Sequence, residues 1–524
     1  MQSAPASKPH ILLVGYEDQE NLGLRSLIAC LEAKGYHASL AAFIPGKERL
    51  VLDAVRTYNP VLVGFSLIFQ FSLEKFSFLM RFLRSGGVEA HFTAGGHFPS
   101  LRPAETLELI GELDSIVRFE GEETLLELLL HLDEPESWER INGLAYRTSD
   151  SVISTPHRPL IENLDLLPFV HRTEPPTSIG GIRMAAMLAS RGCHFNCAFC
   201  SIRQFYGTVP GKLRRSRSPE HVAEEMQLLA EKSGVRFFSF QDDDFAARSP
   251  AQKVWLAQFL KELRAKKLDK LIKWKISCRV DDIQPALLSE MKEHGLFAIY
   301  LGVESGNAAG LQTLNKQTTV QKNLDAIAAV KALNLALSIG FMLFDPSSTA
   351  GSVSENIRFL SLVGEDGYFP VNFGKMLPYA GTPIEQQLLE SGRLKGTITH
   401  PDYEFYDPDL NWYAFLVQKL FARRNFGPDG VAALQSADFE YRLAEAFALE
   451  AAGRIGHQEL RALITESNRL ATGTLQELLD AIESMGAEEF LREEERLLSI
   501  ADRAWSGEAE IQHKSQLLLS TLRC

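Results

Sequence analysis

Apolar residues in the first part of the chain come in short runs. PHILLVGY, HASLAAF, VLVGFSL (Val61 to Leu67) and EAHFTAGG (Glu89 to Gly96) are compact apolar stretches, most of them closed or broken by glycine, the pattern of buried strands. Between the first two, LGLRSLIACLEAKGY carries apolar residues at helical spacing and stops at Gly35. Strand–helix alternation at this spacing requires parallel crossovers and predicts a doubly wound, Rossmann-like α/β domain over residues 1–145. Such sheets bind ligands beyond the carboxyl ends of their strands. The loops there are Gly15 to Gly23, Ser66 and Gly95-Gly96.

The pattern then breaks. Residues 146–182 are rich in proline and turn formers and read as an interdomain connector. It is expected to be ordered, because Leu164, Leu166, Leu167 and Phe169 need somewhere to pack. Over residues 183–390 alternation resumes. MAAMLAS, RFFSFQDDDF, WKISCRVDD, AIYLGVESG, ALSIGFMLF and VNFGKMLPY read as strands. Ser218 and Pro219 open the helix SPEHVAEEMQLLAEK as cap and first turn. Six such units predict a partial (β/α)6 barrel with its chemistry at the carboxyl ends of the strands. Residues 391–524 are helix-forming and charged, and predict a helical C-terminal domain. Its aromatic stretch HPDYEFYDPDLNWY, His400 to Tyr413, either caps the site or packs between domains.

Composition narrows the class. With 45% hydrophobic and 23% charged residues, the chain is of ordinary soluble type. A net charge of −13 with one short basic cluster, GKLRRSRS, argues against a nucleic-acid partner. The most apolar window, Ala326 to Phe344, is interrupted by Lys331 and Asn334 and reads as helix plus strand, not a membrane span. No secretory signal pattern opens the sequence. Six cysteines, half of them on one loop, form no disulfide framework, so a reducing, cytoplasmic setting is expected. Cys30 reads as an inert core residue and Cys524 as exposed.

The loop RGCHFNCAFCS places Cys193, Cys197 and Cys200 at spacing C-x3-C-x2-C. Thiolates so spaced admit zinc, disulfides or an iron–sulfur cluster. Structural zinc needs four ligands, and only the distant Cys278 could supply the fourth. A cubane cluster with three cysteines leaves one iron open to substrate or cofactor. The loop, with Phe199 before the last cysteine, resembles the signature of the radical S-adenosylmethionine superfamily. FQDDDF resembles the family's second-strand element. LGVESGN, followed by Lys316, resembles the fourth-strand element, and LPYAGTP (Leu377 to Pro383) the sixth-strand exit. The resemblance implies a 4Fe-4S cluster on the three cysteines. It also implies S-adenosylmethionine contacts among Phe199, Asp242, Asp243, Asp244, Glu304, Ser305 and Lys316. Phe344-Asp345-Pro346 replaces the family's G-x-P-G-E-type turn, which leaves the adenine contacts there open.

A doubly wound domain ahead of such a barrel resembles the cobalamin-binding domain of the cobalamin-dependent radical subfamily. The D-x-H-x-x-G span reads Asp18 to Gly23, with Glu20 at the histidine position. Ser66-Leu67-Ile68, Gly95-Gly96 and RFEGEETLLELL match further elements. The resemblance implies cobalamin contacts from Asp18, Glu20, Gly23, Ser66, Gly95, Gly96, Glu120 and Gly121. Without the histidine, cobalt's lower face is left open, water-ligated or covered by another side chain. His97 is a substitute candidate, although a histidine there reads first as a surface-loop residue. The domain could also be a scaffold without cobalamin.

The leading expectation is a cobalamin-dependent radical methyltransferase acting on an unactivated carbon of a small-molecule or peptide substrate, with an external electron donor. The alternatives are oxidative cyclisation or rearrangement on the same architecture, and a non-catalytic corrinoid-binding partner module. A methylthiotransferase is disfavoured, because no second cysteine trio stands in the N-terminal domain. The C-terminal helices are expected to close the barrel mouth or to dock a carrier.

Overall fold

A computed structural model describes residues 8–173, 175–245, 248–449 and 456–523; Cys524 lies outside them. Among the described residues two seven-stranded sheets dominate. The first comprises β1 (His10–Gly15), β2 (His37–Ala42), β3 (Leu62–Ser66), β4 (His91–Gly95), β5 (Ser115–Val117), β6 (Leu144–Arg147) and β7 (Val152–Ser154), in the order β2-β1-β3-β4-β5-β6-β7. The first five are parallel; β6 and β7 add antiparallel. The winding reverses between β1 and β3, and that switch leaves a crevice at the carboxyl ends. Helices cover both faces. Val51, Phe76 and Met80 pack on one, and Leu24, Ile28 and Leu128 on the other. Burial on both faces is why the strands read as continuous apolar runs.

The sheet runs past the boundary expected at residue 145. β6 and β7 are short, and β7 is mostly exposed, so they carry no apolar run to find. In the connector Leu164 is buried, whereas Leu166 is 79% exposed instead of packed.

The second sheet holds β8 (Ser178–Ile179) and β9 (Ile182–Met187). A two-stranded ribbon of β10 (Ser190–Arg191) and β11 (Arg215–Ser216) stands apart from it. The sheet continues with β12 (Phe237–Phe240), β13 (Lys273–Arg279), β14 (Leu296–Glu304), β15 (Ala336–Phe344) and β16 (Gly374–Lys375). Its order is β16-β15-β14-β13-β12-β9-β8. The six strands from β9 to β16 are parallel, and the two edges do not pair with each other, so the sheet is a curled half-barrel. The strand expected from VNFGKMLPY shrinks to two residues at an irregular register. Ser218 caps the helix Pro219–Lys232 through its side chain, with Pro219 in the first turn.

The C-terminal region opens with a hairpin, β17 (Leu394–Gly396) and β18 (Pro401–Tyr403), and continues in helices. The helix Val431–Ala446 closes the amino end of the half-barrel. Its Phe439 ring meets Phe237 at 5.2 Å and Phe297 at 5.3 Å, both at strand starts. This helix therefore lies opposite the barrel mouth that the helical domain was expected to close. Tyr403, Phe405 and Tyr413 are buried around Phe344, so most of the aromatic stretch is interdomain packing, with Tyr406 and Trp412 exposed. No described helix is long and apolar enough to cross a membrane.

Candidate active site

The carboxyl ends of β1, β3 and β4 open into a cavity of about 640 Å³. Asp18, Glu20, Gly23, Ser66, Gly95, Gly96, Glu120 and Gly121 all line it. Its deep wall is apolar, formed by Leu13, Leu24, Leu27, Val117 and Leu125. Asn21 caps the helix Leu22–Ala33 by accepting from the Leu24 amide, and its Nδ2 donates to Ser66 Oγ at 3.2 Å. Gly96 has φ 115°, and a Cβ there would stand 2.4 Å from the Leu67 carbonyl oxygen. Only glycine lets the β3 and β4 exits approach this closely. At Gly23 a Cβ would meet only Asn21 Oδ1, at 3.5 Å.

Several cavity residues are already committed. Glu20, at φ 57°, accepts from the Ala186 amide at 2.5 Å and from Arg172 at 3.2 Å. It thus ties the first domain to β9. Glu120 accepts from Arg191 at 3.0 Å, Arg215 at 2.8 Å and the Ile161 amide at 2.8 Å. Arg191 also reaches Glu122 at 2.7 Å. The ribbon β10–β11 is thereby bolted to the first domain. Burial alone would raise the Glu122 carboxyl; the Arg191 guanidinium beside it holds it below the ordinary range.

His97 is not on a surface loop. It opens the short helix His97–Leu101, lines the cavity and lies on Phe205 with ring centroids 4.4 Å apart. Burial lowers its pKa to about 4, so the imidazole is neutral at neutral pH. The surface expectation failed because nothing in the sequence shows the barrel helix Ser201–Gly207 folding over it.

That helix follows the cysteine loop, with Cys200 as its N-cap. Gly192, at φ 84°, admits the Leu213 carbonyl to within 1.8 Å of where a Cβ would be, so the loop's entry needs glycine. Burial pushes the Cys193 and Cys200 thiols up to about 12. Such thiols ionise only when a metal replaces the proton. The described cysteines are all unpaired, and Phe199 packs against the barrel core. Among the described residues no three His, Cys, Asp or Glu side chains converge on one ion. Cys278 is turned into the helix-side core, which removes it as a fourth zinc ligand. Neighbouring thiols on one loop suit a polynuclear cluster with one iron per cysteine.

Sequence reasoning missed Arg279. Its Nη1 donates to Cys197 Sγ at 3.1 Å, its Nη2 donates to Asp281 at 3.0 Å, and the guanidinium lies 3.9 Å from the Phe195 ring centroid. The only signal was an arginine at the end of a strand.

The acidic run after β12 divides by role. Asp242 accepts from the Ala189 amide at 3.0 Å and Ser190 Oγ at 2.5 Å, which fixes the exit of β9. Asp243 accepts from the Gly192 amide at 2.8 Å and meets solvent where it lines the cavity. Asp244 is buried, and burial with the nearby Asp282 carboxylate raises it to about 7. Across the half-barrel, Glu304 sits at φ 67°, where the β14–β15 register shifts. Lys316 Nζ donates to it at 3.4 Å and to the Gly302 carbonyl at 3.2 Å. Ser305 is spent on the loop itself. It accepts from the Asn307 amide at 3.3 Å and donates to Asn356 at 3.2 Å. Asp345 accepts from the Ser347 amide at 2.8 Å and closes its own turn.

Comparison with known proteins agrees with this arrangement. Residues 187–360 match the radical SAM superfamily and residues 10–129 the B12 binding domain. The chain is 27% identical over 373 residues to a Pyrococcus horikoshii protein named uncharacterized methyltransferase PH0819, covering 71% of this chain and 78% of that one. It is 27% identical over 326 residues to the anaerobic magnesium-protoporphyrin IX monomethyl ester cyclase of Cereibacter sphaeroides, covering 60% of this chain and 50% of the cyclase. Among solved structures, the cobalamin-dependent S-adenosylmethionine radical enzyme OxsB with aqua-cobalamin bound superposes with a TM-score of 0.70. At 18% identity, that match covers 98% of this chain and 80% of OxsB, and it is a likeness of fold.

Proposed function

We propose, from the premise that the chain belongs to the radical SAM superfamily and carries a B12 binding domain, that it is a cobalamin-dependent enzyme transferring a methyl group to an unactivated carbon. One observation carries the reading. The cavity at the carboxyl ends of the first sheet is walled on its far side by Ser190, Arg191, Phe205, Tyr206, Gln241 and Asp243 of the barrel, so the two cofactor sites face a common space. The groups fit. Gly23 and Gly95-Gly96 leave the cavity clear at the strand ends, and three unpaired thiols wait on one loop.

When bound, the cluster with S-adenosylmethionine supplies a carbon radical able to abstract hydrogen, and methylcobalamin supplies the methyl group. The chain's residues orient and dry the space between them. Cys193, Cys197 and Cys200 hold the cluster, and Arg279 steadies Cys197. Asp243, Glu304 and Lys316 supply polar contacts for the amino-acid and ribose parts of S-adenosylmethionine. The apolar wall of Leu13, Leu24, Leu27 and Val117 takes the cobalamin tail. Glu20 is committed to the Ala186 amide and Arg172 and would offer no free carboxylate to a bound cobalamin, whereas the neutral His97 imidazole lines the same cavity.

The cyclase among the relatives supports a second reading, oxidative cyclisation in the same chamber. The test is anaerobic reconstitution with iron, sulfide and hydroxocobalamin, followed by S-adenosylmethionine and reductant, with a Cys197→Ala control. Deoxyadenosine and methylcobalamin are both expected, the first lost in the variant. Deoxyadenosine without methylcobalamin would move weight to cyclisation. Bound cobalamin with no deoxyadenosine would leave a corrinoid-binding module.

A further inference from the structure

The interior of the half-barrel holds a set of polar groups that the cofactors do not use. Strand register arranges its walls in layers. Ala186, Ser239, Lys275, Ala298 and Ala336 are neighbours across β9, β12, β13, β14 and β15. Ser277, Tyr300 and Ser338 form the next layer toward the mouth, and Arg279, Gly302 and Gly340 the rim. The alternating residues Trp274, Ile276 and Cys278 are buried in the helix-side core. Lys275, Ser277 and Arg279 therefore face the lumen. The lumen is open, because Tyr300 is 41% exposed although it sits in a central strand. Gly340 makes room for it, since a Cβ there would stand 2.5 Å from Tyr300 Oη.

These groups are unspent. Lys275 Nζ and the Ser239, Ser277 and Ser338 hydroxyls have no side-chain partner among the described residues, whereas Tyr300 Oη points toward Gly340 beside the Glu304 carboxylate. Burial lowers the Lys275 pKa, and no carboxylate offsets it. Asp438 borders the small space beneath Lys275, but it is held by Arg442 at 2.7 Å and His457 at 3.2 Å. Glu304 belongs to the rim and to Lys316 at 3.4 Å. A buried cation without a counter-charge is costly. Three serine hydroxyls able to donate, Ser239 in its own layer and Ser277 and Ser338 in the next, make an oxyanion the matching guest.

We infer that the lumen binds an oxyanion carried by the substrate, a carboxylate or a phosphate, with Lys275 as its counter-ion. The inference deepens the proposed reading, on which it rests for the identity of the guest as substrate. The carboxylate of S-adenosylmethionine is not that guest. Lys275 lies four residues below Arg279 on β13, about 13 Å at strand rise, whereas the cysteine loop that would hold the cluster and its S-adenosylmethionine meets the barrel at Arg279.

The test uses the full-length, cluster-reconstituted protein as wild type, Lys275→Met and Lys275→Arg, with inorganic phosphate and propionate as separate probes in calorimetric titration and thermal unfolding. One of the two anions is expected to bind wild type and Lys275→Arg. Its affinity should fall at least tenfold in Lys275→Met, and which anion binds names the group. In anion-free buffer Lys275→Met is expected to raise Tm, because it removes an uncompensated ammonium. Equal binding by wild type and Lys275→Met, no binding of either anion, or a lower Tm for Lys275→Met would overturn the inference. Uncoupled deoxyadenosine formation, measured in parallel, is expected to survive in Lys275→Met. Its absence from wild type would instead count against the radical reading.

Discussion

At the scale of the residue, two positions carry consequences that can be measured. The Arg279 guanidinium places a positive charge and an N–H on the sulfur of Cys197, and both stabilise the electron-richer state of a thiolate-bound cluster. Arg279→Leu is expected to lower the cluster's midpoint potential by roughly tens of millivolts, since a one-electron potential moves 59 mV per tenfold change in equilibrium constant. Arg279→Lys should recover part of the shift. Potentiometric titration followed by EPR reads both, and an unchanged potential in Arg279→Leu would reduce the contact to packing. Gly23 tests the other cofactor. Gly23→Phe points into open cavity, so stability without ligand should stay within about 0.5 kcal/mol. Aquocobalamin at a hundred times its Kd should stabilise wild type by about 2.7 kcal/mol and leave Gly23→Phe unmoved, as read by thermal unfolding. The cysteines and glycines of these sites were visible in the sequence because spacing and special backbone needs leave marks there. Arg279 left none, because its partner lies 82 residues away in sequence.

At the scale of the element, the ribbon β10–β11 is the joint between the two sheets. Arg191 and Arg215 reach from it to Glu120 and Glu122. Breaking a buried pair by removing one partner costs about 3–5 kcal/mol, and Arg191→Met leaves Glu122 with Ser26 Oγ and its own backbone amide but no cation. The pH dependence follows from the sign of the shift. A carboxyl whose folded pKa is depressed stabilises above its unfolded value and loses that stability as pH falls through the folded one. The wild type's advantage over Arg191→Met should therefore be full above pH ~5 and shrink in the acid limb. Denaturant midpoints across pH would show it, and a pH-independent difference would contradict the assignment. The ribbon could not be read from the sequence, because each strand is two residues long and one of them closes a loop. The basic cluster Gly211 to Ser218, which reads as a solvated loop, contains Arg215, which is buried against Glu120.

At the scale of the molecule, the two sheets present their carboxyl ends to one cavity while the helix Val431–Ala446 seals the opposite end of the half-barrel. The mouth is left to the first domain. The order of domains along the chain suggested a helical lid, but a region's place in sequence does not say which end of a sheet it covers. Phe439 decides it by packing on residues at strand starts.

What the sequence determined by itself was the alternation of strands and helices, the doubly wound and partial-barrel classes, and the cysteine and glycine loops. These are local matters, since apolar runs must be buried, parallel strands need crossovers, and a tight turn needs glycine. Only the tertiary structure decided that Glu20 is spent on β9, that His97 lies under a barrel helix, that the strand ends of two domains share one cavity, and that Lys275 stands unpaired in the lumen. Those facts depend on which distant groups meet, and the desolvation and pairing that result exist only once the chain has folded.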